Sequence, residues 1–180
     1  NGLLKRQQRL PGGLRTDYWH MDIPHAPYLF AMAIGKFSVV KDSWRGKEVS
    51  YYVEPRYARH ARLVFGNTPE MLEFYSNYLG VPYPWQKYGQ VVVRDFVSGA
   101  MENTTATIHY EPVAHDARAH LDETHEDIIA HELFHQWFGD YVTMESWANL
   151  PLNESFATYG EYLWLEHKYG PDEAARHLAE

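Results

Sequence analysis

The pattern His131-Glu132-Leu133-Phe134-His135 lies inside the otherwise apolar run 128–139. On a helix, positions i and i+4 sit one above the other on the same face, so His131 and His135 can aim two imidazoles at one ion. Glu132, next to the first imidazole, can reach a metal-bound water without itself being a ligand. Imidazole and carboxylate are usual ligands of zinc, and a catalytic zinc keeps one position open for water. Two histidines do not complete such a site, so a third donor must come from elsewhere in the chain.

Asn153-Glu154-Ser155 offers that donor. Glu154 stands nineteen residues after His135, and 156–165 reads as a second helix carrying it. About thirty residues before the first helix comes another segment, Gly99-Ala100-Met101-Glu102-Asn103. A zinc ion held by His131, His135 and Glu154 would bring the pKa of its water down to about 7. Glu132 would then take the proton as that water attacks a carbonyl and pass it to the leaving amine. The ligands and their spacing therefore predict metal-assisted amide hydrolysis.

In these three motifs, their order and their spacing the chain resembles the aminopeptidase N-like zinc metallopeptidases of the gluzincin clan. The likeness runs on through Phe37, Tyr83-Pro84, 136–139 and 142–145, so it covers nearly the whole chain. It implies an α+β fold: residues 41–180 as the first part of a thermolysin-like zinc peptidase catalytic domain, incomplete here, and residues 1–40 as the last strands of a preceding β domain. It also implies one Zn2+ per chain and removal of a single residue from peptides with a free N-terminus. In that family the glutamate of the pentapeptide, here Glu102, grips the substrate's α-ammonium. Main-chain groups around Gly99 and Ala100 align the peptide, within a substrate-binding segment that includes Met101 and Asn103. Two further parts, an oxyanion-stabilising tyrosine and another group for the amine, are expected after residue 180 and before residue 1, leaving the isolated chain inactive. Relatives often have Trp in place of Thr104 and of Ser146, and Gly in place of Ser155, departures that bear on pocket shape. Glu161, seven residues after Glu154, shares its helical face. It either orients a metal ligand or forms a surface salt bridge.

Composition narrows the partners. A formal net charge of −8 argues against nucleic acid. The absence of cysteine leaves histidine and carboxylate as metal donors. No apolar run approaches the length of a membrane span and no signal peptide opens the chain, while compartment and oligomeric state stay open. His109, His115, His120 and His125 read as a solvated loop cluster rather than a second metal site. The sequons at Asn103 and Asn153 overlap the expected site and are discounted, and Ser98 lacks the setting of a serine nucleophile.

Along the chain, residues 1 to about 15 read as a polar loop with a turn at Pro11-Gly12-Gly13. Strands are predicted over 18–23, 28–34, 49–53, 90–94 and 105–110, and helical spacing over 56–79 with Gly80 as its stop. Thr124 or Asp122 is expected to cap the metal-binding helix. Two other readings stand beside the peptidase: a catalytically silent relative that only binds, against which an intact Glu132 argues, and a different hydrolase on the same scaffold, such as an epoxide hydrolase.

Overall fold

A computed structural model describes residues 1–179; Glu180, the last residue of the expected 41–180 unit, lies outside the described residues. The content is mixed α and β. Leu3–Arg9 (β1) and Arg15–His20 (β2) pair as an antiparallel hairpin around the 3-10 turn Pro11–Gly13, where both glycines take positive φ. The turn is where the sequence placed it, but β1 was read as loop. Its Lys-Arg-Gln-Gln-Arg stretch has no apolar alternation because the strand is exposed on both faces and is held by backbone pairing alone.

A five-stranded sheet follows, made of β3 (Ser38–Trp44), β4 (Lys47–Val53), β5 (Lys87–Val93), β6 (Ala100–Met101) and β7 (Ala106–Tyr110), in the order β3-β4-β5-β7-β6. β3 runs through residues 40 and 41. β4, β5 and β7 are mutually parallel, and β6 closes the edge antiparallel to β7. The central β5 is buried along nearly its whole length, as a strand covered on both faces must be. The helices are α1 (Ala61–Phe65), α2 (Thr68–Tyr78), α3 (Glu126–Phe134), α4 (Glu154–Tyr169) and α5 (Pro171–His177).

Two sequence expectations need correction. The helical spacing over 56–79 is two helices, α1 and α2, with Pro69 in the first turn of the second, where its missing N–H costs no hydrogen bond. The apolar run 28–34 is no strand: a 3-10 turn at Pro27–Leu29 leads into an unpaired segment. Leu29 is fully buried, whereas Phe30, Met32 and Ile34 face solvent, since no strand among the described residues lies alongside to cover them.

α3 is pinned at both ends. At its start the buried Glu126 carboxylate accepts from Asn67 Nδ2 (2.6 Å), Trp164 Nε1 (2.9 Å) and the Tyr169 hydroxyl (2.9 Å), tying α3 to residues flanking α2 and along α4. The expected cap is weak: Thr124 Oγ1 accepts from Glu126 N–H at 3.4 Å, and Asp122 takes no part. Past its end, Trp85 Nε1 donates to the Gln136 carbonyl and Trp137 Nε1 to that of Val81. α4 lies against α3 at Gly160, where an added Cβ would fall 2.6 Å from the Phe134 ring. Phe134 is itself held edge-on by Tyr75, whose hydroxyl donates to the Gly160 carbonyl. Gly160→Ala is therefore expected to cost about 1–3 kcal/mol by overpacking. Because the α3–α4 spacing sets the site described next, the same variant should hold metal less tightly; thermal melts and a metal titration read the two effects.

Candidate active site

The histidines expected on one helix face do converge. His131 Nε2 and His135 Nε2 are 3.0 Å apart, and Glu154 Oε2 lies 3.3 Å from the first and 3.5 Å from the second. His135 follows the last residue of α3 with helical backbone angles, so the i, i+4 relation survives the helix end. Glu154 opens α4, brought alongside by the 3-10 segment Trp147–Leu152. The remaining ring nitrogens are occupied: His131 Nδ1 donates to Glu161 Oε1 at 2.5 Å and His135 Nδ1 to the Phe138 carbonyl at 2.9 Å. With each Nδ1 held by an acceptor, each Nε2 faces the shared point: protonated it donates to Glu154, and without that proton its lone pair is free for a metal.

These donors suit zinc. Four-coordinate zinc with bonds of about 2.0–2.2 Å keeps neighbouring ligand atoms roughly 3.3 Å apart, close to the separations observed. Charge agrees with distance. Burial disfavours a proton on His131, yet Glu154 and Glu161 outweigh it and push the imidazole up to about 10. The hydrogen bonds from His131 and His135 hold Glu154 well below the usual carboxylate range. The cluster is built to attract positive charge.

The cleft over these donors has a volume of about 410 Å³ and is walled on one side by Ser98–Glu102 and on the other by α3 and α4. Of the pentapeptide, Gly99 precedes β6, Ala100 and Met101 form it, and Glu102 follows it and is buried. Glu102, Glu132 and His135 bring ligand-type atoms within 4.8 Å of one another. Glu132 Oε2 is buried without a hydrogen-bond partner. Burial pushes the Glu132 carboxyl up to about 8 against the pull of His135 and His131. Asn103 does not face the cleft. It is buried and donates to the Leu29 carbonyl, and Asn153 is buried too, which accords with discounting both sequons.

Several supporting residues escaped the motif search. Gln136 Nε2 donates to the Glu102 carbonyl (2.9 Å), while its Oε1 accepts from Thr105 N–H (3.0 Å) and the Tyr83 hydroxyl (3.3 Å). It clamps the turn after β6 to the end of α3. Thr105 in that turn has φ +63°, and its hydroxyl accepts from Gly2 N–H. Asp140 is buried near Glu102. Burial first, and the Glu102 charge second, hold its carboxyl well above the usual range. A glutamine within an apolar run, in the stretch 136–139 that carries part of the likeness, was the signal for Gln136. Thr104 is fully buried with its hydroxyl 3.0 Å from His25 Nδ1.

The histidine cluster differs from expectation. His109 sits inside the sheet against Phe65 and beside Gln90 Oε1, and burial pushes it down to about 3. His115 and His125 are buried as well, with His115 stacked on His120. Among the described residues no helix is long and apolar enough to cross a membrane.

A model of the Peptidase family M1 domain matches residues 64–179. Endoplasmic reticulum aminopeptidase 1 of Mus musculus is 38% identical over 158 residues, 84% of this chain and 17% of the relative. Glutamyl aminopeptidase of Sus scrofa is 33% identical over 152 residues (81% and 16%), and Aminopeptidase M1-B of Oryza sativa subsp. japonica 32% over 165 residues (89% and 19%). The chain thus spans about a sixth of the length of the curated relatives it matches.

Proposed function

Since the chain belongs to peptidase family M1, we propose that it carries the metal centre of a zinc aminopeptidase, which hydrolyses the first peptide bond of substrates with a free N-terminus. In this reading residues 1–40 are the last strands of a β domain and 41–180 the first part of a thermolysin-like catalytic domain. The observation that carries it is the convergence of His131, His135 and Glu154 at 3.0–3.5 Å beside an unpartnered Glu132 oxygen. Zinc held by those three donors would supply a Lewis acid that acidifies water and polarises the scissile carbonyl.

The chain's own groups do the rest. β6 pairs with β7 on one side only, so its other edge can hydrogen-bond an extended peptide and lay it across the cleft. Glu102 then faces the substrate's α-ammonium, and a buried carboxylate rewards that charge while a blocked terminus leaves it unpaired. Glu132 Oε2 accepts the proton of the attacking water as the new C–O bond forms. It returns that proton to the leaving nitrogen as the C–N bond breaks, consuming one water. A silent binding relative has no use for such a carboxylate. Among the described residues no tyrosine lines the cleft, so none is assigned to the oxyanion.

The test is hydrolysis by the full-length protein of Ala, Leu, Met, Arg and Asp amides, each with an N-acetylated twin, before and after chelation. Chelator-sensitive cleavage of the free amines alone is the expected result. Equal cleavage of the acetylated twins would remove the role of Glu102, and zinc binding without any cleavage would favour the silent relative.

A further inference from the structure

His131 Nδ1 meets Glu161 Oε1 at 2.5 Å, and the other oxygen of the same carboxylate, Oε2, meets His177 Nε2 at 2.7 Å. The carboxylate is therefore held at both ends. It is also largely buried, with 13% of its side chain exposed, and His177 has 23% exposed, so water competes weakly for either contact. A carboxylate only accepts, so both ring nitrogens facing it must donate.

The local fold is arranged for this contact. Gly170, at φ +96°, takes a backbone conformation that side chains rarely adopt and ends α4, and Pro171 starts α5 immediately. The turn folds α5 back on α4. Ala174, fully buried, seats α5 there, and His177 lies three residues further along the same helical face. Glu161 stands one residue beyond Gly160, where an added Cβ would meet the Phe134 ring of α3.

We propose that His177 is a positioning residue for the metal centre: it fixes the Glu161 carboxylate that orients His131, and thereby raises the affinity of the site for zinc. The inference rests on the zinc reading above. A carboxylate anchored through one oxygen can swing about its terminal torsion, and the His131 ring then turns with it. Anchored through both, it holds His131 with Nδ1 donating and Nε2 directed at Glu154 and His135. The arrangement extends the outer shell of the centre to α5, more than forty residues beyond His131 in the chain.

Chelator-competition titration of zinc on the full-length protein tests this. His177→Leu is expected to weaken zinc roughly tenfold, the lower end of what loss of an outer partner costs. His177→Gln, whose Nε2 can donate to the same oxygen, should retain most of the affinity. In a Glu161→Gln background His177→Leu should cause no further loss, an outcome that a general loosening of α5 would not give. Wild-type affinity in His177→Leu overturns the proposal, as does a loss as large in His177→Gln or one that persists without Glu161. A wild-type protein that retains no zinc overturns the metal reading itself, and this inference with it, so the two failures are distinguishable.

Discussion

Replacing Glu132 with glutamine is expected to lower turnover of free-amine substrates by about 10²–10⁴-fold, the range contributed by a positioned general acid–base group. The size follows from what glutamine keeps and loses. It has nearly the volume of glutamate, so the packing of α3 is preserved, and its amide can still hydrogen-bond a water. It cannot accept that water's proton. Glu132 Oε2 has no protein partner to compensate. Zinc content should be unchanged, because Glu132 is not among the three atoms that meet at 3.0–3.5 Å. Single-turnover kinetics with bound metal measured on the same sample separates the two effects. Full activity in Glu132→Gln would overturn the assigned role.

The second large effect is expected from Glu154→Ala, which should weaken zinc by more than the roughly 100-fold that loss of an outer partner can cost, since it removes one of the three donors proposed for the metal. Activity should fall with metal content and recover in part when zinc is added in excess. The variant is suited to the test because 46% of the Glu154 side chain is exposed at the first position of α4, so its loss opens no core cavity. His135, 1% exposed and bonded to the Phe138 carbonyl, would confound metal loss with packing. Metal-to-protein ratio after dialysis is the measurement. Retention equal to wild type would show that the third donor lies elsewhere.

How far the sequence reached can be judged residue by residue. The relation of His131, Glu132 and His135 is local, set within one helical turn, so periodicity alone predicts it. Glu102 was placed between two strands, and it follows β6, directly before the turn into β7. By contrast β1 was missed because a strand exposed on both faces leaves no apolar period, and 28–34 was misread because an apolar run says nothing about whether a partner strand is present. His109 was grouped with a solvated cluster although it lies in the predicted strand 105–110; it faces inward from β7, where burial and a bond to Gln90 replace solvation.

The sequence by itself determined the family to which the motif spacing belongs, and it named the residues proposed here to hold a metal and the carboxylate proposed to move a proton. Tertiary structure decided how that chemistry is held in place. Gln136 clamping the Glu102 turn, Gly160 letting α4 close on α3 and His177 bracing Glu161 depend on contacts between groups that chain spacing does not bring together. Local periodicity encodes neighbours within a turn or two of a helix. Contacts across tens of residues exist only once the sheet and helices have packed and fixed the distances between them.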